Sequence, residues 1–307
     1  MAAQMGVARV NLNEAGSSPS PAAPPRRKRA LRAFLRTKVA VAGVTVAIVM
    51  TLVALLAPIL ATHPADVGPR THPEIRLLPP SGAHWFGTDE LGRDLYSRVL
   101  FGIRASMIIA VATVSVTFAI GVPVGVTAGF SSDWWPEVLM RLADVFLSIP
   151  SIVLAILFAT LIGKGMLNLV IAIALVWWPV YARLAHGITL TTSQYEYVTA
   201  ARALGARPAR IMARHVLPNI LSPLLIQVSL DFGRVILFAA GLAFIGLGPP
   251  VPVPELGTMV ESSRRYALQA WWTAVFPGAA IFFLALAFNI LGDSLRDAFD
   301  PRVERNG

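Results

Sequence analysis

Six apolar stretches dominate this chain, each long enough to cross about 30 Å of hydrocarbon as a helix. They run Val39 to Ala61, Ala105 to Phe130, Leu139 to Ile162, Met166 to His186, Leu221 to Leu247 and Trp271 to Leu291. Hydrocarbon offers the backbone no hydrogen-bond partner, so each stretch must satisfy its own amides, as a helix does. The expected fold is an all-α membrane protein with six transmembrane helices. Composition agrees, because 55% of the residues are hydrophobic and only 14% charged, which is far from a soluble domain.

Charge placement orients the spans. Residues 1–38 carry a Ser, Pro and Ala tract, SSPSPAAPP, that cannot bury enough apolar surface to order itself. Arg26, Arg27, Lys28, Arg29, Arg32, Arg36 and Lys38 follow it directly. The run behind them is too long for the apolar part of a signal peptide, so 39–61 is read as an uncleaved first helix with its basic flank in the cytoplasm. The segment between the fourth and fifth spans holds Arg183, Arg202, Arg207, Arg210 and Arg214 against Glu196. Between the fifth and sixth, Arg264 and Arg265 are balanced by Glu255 and Glu261. The first of these is expected to be cytoplasmic and the second external, with both termini, including the tail 296–307, cytoplasmic. The net charge of +9 thus gathers at membrane boundaries and does not point to nucleic acid. The absence of cysteine excludes disulfides, thiolate metal sites and cysteine nucleophiles.

Tyr195 to Asn219 is polar and basic between two apolar spans. Tyr197 to Leu204 favours helix, Gly205 suits the left-handed turn that closes one, and Pro208 suits the first turn of a second helix. Arg210 and Arg214 fall on one face of that second helix, which is expected to end against Leu217 and Pro218. Ala200 and Ala201 beside Gly205 would let a partner backbone approach closely. Two readings stand on these residues alone: a solvated interhelical loop, or a helix-turn-helix docking knob.

The external segment 62–104 contains a sequence read as an amphipathic helix. Thr88 would cap it, Asp89 and Glu90 would occupy its first turn, and Leu91, Leu95 and Val99 would form its apolar stripe. His63, His72 and His84 are spaced by nine and twelve residues, which matches no helical or finger pattern, so no metal site is expected. Inside the membrane, Asp231 and Arg234 lie three residues apart and can neutralise each other, either lining a polar path or locking helix packing. Asn289 and Asp293 suit a helix end or an interhelical bond. Trp177, Trp178 and Pro179 suit packing and a kink. Trp134, Trp135, Trp271 and Trp272 suit the membrane interfaces.

Catalytic motifs are missing. The one Gly-Lys pair, Gly163 and Lys164, has Phe158 and Gly165 where a phosphate-binding loop needs Gly and Ser or Thr. No HExxH or GxSxG occurs, and no catalytic residue is expected.

The stretch from Thr199 to Pro218 resembles the cytoplasmic coupling loop of ATP-binding-cassette importer permeases: Glu-Ala-Ala, three residues, Gly, nine residues, Ile, one residue, Leu-Pro. Ala200, Ala201, Gly205, Leu217 and Pro218 match, while Thr199 stands in place of Glu and His215 in place of Ile. GTDELGRDLYSR, PELGTM, WWTAVFPGAAIF and LAFNILGDSLRDAFDPR are similar to the C-type subunits of dipeptide, oligopeptide and nickel importers. Leu256 stands where those subunits commonly have Trp, and Phe238 and Ala239 where many have an acidic residue. These positions lie where that family would meet substrate or a second permease. The resemblance implies alternating access, a related permease as heterodimeric partner, two cytoplasmic ATPase domains that bind ATP and Mg, and an extracytoplasmic solute-binding protein. It implies dipeptides or oligopeptides as cargo, with nickel chelates or another small solute as alternatives. No cofactor is implied for this chain. An ion-coupled carrier using Asp231 and Arg234 is the rival of a different class.

Overall fold

The computed structural model describes residues 38–131 and 134–299. The expectation of an unstructured tail before Lys38, and the last part of the C-terminal tail, lie outside them.

Helix α1 (Lys38–Leu60) takes up the first apolar run. It leaves Leu55 and Ile59 exposed, Ile59 by 79%, which water penalises and lipid does not. Helix α2 (Leu95–Phe130) is 36 residues long, about 54 Å at 1.5 Å per residue, so it projects beyond the hydrocarbon. This corrects the separate amphipathic helix expected from Thr88. The Thr88 hydroxyl accepts the Leu78 N–H at 2.9 Å and donates to the Ile75 carbonyl. Asp89 accepts the N–H groups of Leu91 and Arg93, both at 2.9 Å, and the Arg93 Nε at 2.7 Å. Both residues are therefore spent on a turn, and Asp94 is the cap, accepting the Ser97 N–H at 2.9 Å. The apolar residues Leu95 and Val99 begin the span itself, 1% and 4% exposed.

The run expected as one span from Leu139 to Ile162 is two helices, α3 (Trp134–Ser148) and α4 (Ser151–Ile162), bent by 99°. Pro150 disfavours helical backbone at Ile149 and cannot donate to the preceding turn, so the bend falls there. Helix α5 (Met166–Ser193) follows, then α6 (Glu196–Ala203) and the short α7 (Pro208–Ile211). A single wide turn, Met212–Val216, joins α7 to α8 (Leu217–Leu242). The second helix of the insert therefore does not stop at Leu217 and Pro218. Leu217 donates its N–H to the Met212 carbonyl, a five-residue reach that lets Pro218 enter without a break. The result is one 40-residue helical stretch, Pro208–Leu247, rod-like until Gly246 near its far end leaves helical geometry at φ +89°. Helices α9 (Leu256–Ser263) and α10 (Trp272–Phe299) complete the chain. Among the described residues five helices are long and apolar enough to span a membrane, or six if the bent pair counts as one.

The bundle is built on the contact of α2 with α5. Gly121, Gly125 and Gly129, four apart, turn one stripe of α2 onto the α5 backbone, the small-residue device that lets helices approach in lipid. A β-carbon on Gly125 would sit 2.2 Å from the Ala182 carbonyl oxygen. Helices α8 and α10 close the other side, and α1 packs on α10 and α2. At the end opposite α6, the Trp272 indole donates to the Thr88 carbonyl at 3.3 Å, and Arg98 reaches the Pro252 carbonyl at 3.4 Å. Glu255 caps α9 by accepting the Thr258 N–H at 2.8 Å. Burial pushes its carboxyl above the ordinary range, against the opposing pull of the Gly257 and Thr258 amides. Leu256 is fully buried beside Gly102; this position serves packing within the chain.

Candidate functional site

The insert between α5 and α8 is a rigid handle. Its first helix ends in a double-bonded turn, with the Gly205 N–H on the Arg202 carbonyl at 3.0 Å and the Ala206 N–H on the Ala201 carbonyl at 3.1 Å. That 5→2 and 6→1 pair requires a left-handed residue, and Gly205 supplies it at φ +77°. Pro208 then opens α7. Val198, Ile211 and Val216 are buried to 1% exposure or less and fix the handle on its base. Asn219 donates to the Tyr197 hydroxyl at 2.9 Å, and the Arg202 guanidinium lies 5.4 Å from the centre of the Phe130 ring at the end of α2.

Much of its outer surface is open to a partner. Thr199, Ala200, Gly205, Arg210, Arg214, Leu217 and Pro218 are exposed, Ala201 is half-buried, and Leu204 at the tip is 88% exposed. Among the described residues Arg210 and Arg214 meet no carboxylate. An apolar tip flanked by unpaired arginines is suited to an acidic, grooved partner.

A second site lies on the same rod, 21 residues beyond Arg210 and so about 30 Å away. Asp231 is buried and accepts from Gln227 Nε2 at 3.0 and 3.1 Å. Arg234 stands 3.6 Å from it with a side chain 57% exposed. Both face a cavity of about 470 Å³ that is also lined by Phe146, Pro150, Trp177 and Val180. The two readings offered for the pair are thus divided between its members: Asp231 is tied internally, while Arg234 presents its charge to the cavity. Trp177 does both jobs, packing on Phe238 at 4.8 Å and lining the same space. Asn289 of α10 lies against Gly233 of α8, between the two helices.

Two features are not legible residue by residue. The break at Pro150 brings non-helical backbone to the cavity, as broken helices do in many transport sites; the proline alone does not say whether a helix kinks or breaks. By sequence Arg183 belongs with the loop charges. It lies inside α5, ion-paired with Asp144 of α3, and with Glu137, Arg141 and His186 it lines a polar mouth of about 520 Å³.

Comparison with known proteins shows the family. Residues 121–305 match the family described as binding-protein-dependent transport system inner membrane component. Residues 26–80 match the N-terminal transmembrane domain of oligopeptide transport permease C. The chain is 44% identical over 263 residues to a probable D,D-dipeptide transport system permease protein of Escherichia coli strain K12, covering 86% of this chain and 87% of that one. It is 40% identical to a di/tripeptide transport system permease protein of Pseudomonas aeruginosa strain UCBPP-PA14, covering 95% and 97%. It is also 40% identical to a glutathione transport system permease protein of Pectobacterium atrosepticum, covering 89% and 90%. Among solved structures, a chain of the MetNI methionine transporter in inward-facing conformations shares the fold at TM-score 0.53 and 19% identity, covering 66% of this chain and 97% of that chain. With a family match over more than half its length and relatives this similar end to end, the chain belongs to the inner-membrane permease components of binding-protein-dependent transport systems.

Proposed function

We propose that this permease forms, with a related second permease, the path by which short peptides cross the membrane, and that the handle is its grip on a cytoplasmic ATPase. One observation carries the reading: the handle is continuous with the helix that lines the cavity. Closure of paired ATPases around ATP displaces α6 and α7, and a continuous helix cannot absorb that displacement locally. The rod moves instead, and the cavity beside Arg234 opens to one side or the other. ATP and Mg belong to those partner subunits, and a solute-binding protein delivers cargo at the opposite end. The handle and both termini then face the cytoplasm, in keeping with the basic flank of α1.

Peptide cargo is supported by the relatives named above and by Arg234. A free peptide carries a terminal carboxylate, and a guanidinium matches its two oxygens. Arg234→Ala removes a largely exposed side chain, so membrane levels should hold while the KM for dipeptide uptake rises about tenfold or more, given the roughly 1.5–3 kcal/mol of a charge-assisted bond. An unchanged KM removes Arg234 from the path.

The chain contains no cysteine, so Leu204→Cys creates a unique thiol at the exposed tip. In the purified complex it should crosslink to a nucleotide-hydrolysing subunit, with a yield that changes on adding ATP. A thiol that stays uncrosslinked and freely labelled in every nucleotide state refutes the grip.

A further inference from the structure

Folding gathers what sequence spacing kept apart. His63 lies just past the end of α1, His84 sits in the loop before α2, and Asp94 caps α2; their ligand atoms all come within 4.8 Å of one another. We propose that these three side chains form a binding site for one divalent transition-metal ion, with Zn²⁺ as the ion that fits, on the outer end of the permease.

The carboxylate is divided between two tasks. Asp94 Oδ2 accepts the Ser97 N–H at 2.9 Å, the Ser97 hydroxyl at 2.7 Å and the Thr62 hydroxyl at 3.2 Å. Oδ1 is turned the other way, 2.9 Å from His84 Nδ1 and 3.7 Å from His63 Nδ1. The first distance is a hydrogen bond; the second is too long for one, and His63 Nδ1 instead lies 3.1 Å from the Thr62 hydroxyl, with the two imidazole rings tilted against each other at 4.9 Å between centroids. Donors bound to Zn²⁺ at about 2.0–2.1 Å in tetrahedral geometry lie about 3.3 Å apart. The two observed separations straddle that value, and all three ligand atoms lie within 4.8 Å of one another, so seating an ion between them requires the rings to close by up to about 1.5 Å. Two imidazole nitrogens and one carboxylate oxygen are a donor set that suits Zn²⁺ and leaves a fourth position for water. The 42% exposure of the His63 side chain gives water access.

Each ligand is held before any ion arrives. The His63 N–H donates to Ser97 Oγ at 2.9 Å, which anchors it to the first turn of α2. His84 is fixed by its N–H on Ser81 Oγ at 3.2 Å and by its carbonyl, which accepts from Ser81 and Gly87 at 2.8 and 2.9 Å. A second carboxylate, Asp66, accepts the Asp94 N–H at 3.0 Å, adding negative potential beside the site. Oriented ligands with hydrogen-bonded carboxylates are what strong metal binding needs. His72 is not part of the set: its two ring nitrogens point to different acids, Nε2 to Asp66 at 3.3 Å and Nδ1 to Glu74 at 3.6 Å.

The test uses the full chain, purified in detergent with its copurifying subunits and stripped of metal with a chelator. Titration with Zn²⁺ should show one saturable site per chain, and Zn²⁺ should raise the thermal midpoint through that site. Co²⁺ in the same site should give the strong visible bands of a four-coordinate ion. His63→Ala and His84→Ala should each weaken binding at least about tenfold and remove those bands. His63→Ala leaves the Asp94 cap intact and so controls for folding, and His72→Ala should bind as the parent does. Absence of saturable binding, binding that survives both His63→Ala and His84→Ala, or loss confined to His72→Ala overturns the proposal.

Discussion

Gly205→Val should abolish ATP-driven uptake while the protein remains in the membrane at its normal level. The turn at φ +77° is left-handed, and a residue with a β-carbon pays roughly 1–2 kcal/mol to adopt it, with a β-branched one at the unfavourable end. That sum is small beside the 5–15 kcal/mol that holds a typical domain, so the fold survives. Within the chain a β-carbon at Gly205 meets nothing within 4 Å. Any loss beyond the turn's own strain therefore arises against a docked partner, where valine occupies space a close-fitting surface needs. Gly205→Ala should fall between the two. Measured uptake, normalised to the amount of permease in the membrane, decides the matter: transport by Gly205→Val at the parental rate would remove the handle from the mechanism.

The second large effect is on assembly of the bundle. Gly125→Leu should leave little folded permease, because its β-carbon would stand 2.2 Å from the Ala182 carbonyl oxygen and 2.8 Å from the Ala185 β-carbon. The first contact is with backbone, which cannot rotate away, so α2 and α5 must separate along the stripe that also includes Gly121 and Gly129. Overpacking a well-fitted interior typically costs 1–3 kcal/mol and occasionally more; a helix pair forced apart belongs at the upper end. Gly187→Leu is the matched control, since Gly187 lies within α5 and has nothing within 4 Å of its β-carbon position. Detergent extracts run by size exclusion should show the control eluting as the parent does, and Gly125→Leu aggregated or degraded. Equal yields of monodisperse protein would show that the stripe tolerates separation.

The effect on transport of a gripped handle and the effect on folding of a crowded glycine stripe differ in how readily the sequence disclosed them. The handle was legible. A helix stop, its left-handed closing residue and a proline start are local rules, satisfied within a dozen residues, and Gly205 and Pro208 announce them. The apolar spans were legible for the same reason, since a helix meets its own hydrogen bonds whatever surrounds it. Gly121, Gly125 and Gly129 recur every four residues in the sequence, but nothing local to them says which helix they touch.

Length and composition thus settled that the chain is a bundle of membrane helices, and Gly205 settled where the handle's first helix turns. Tertiary structure decided the rest. It merged Leu95 to Arg104 into α2 because Asp94, and not Thr88, is where the backbone first turns helical. It bent the third run by 99° at Pro150 and placed that bend across from Arg234. It joined handle to path in one rod and drew His63, His84 and Asp94 together. Each of these depends on contacts between residues distant in sequence, and a local pattern carries no record of which distant surfaces will meet.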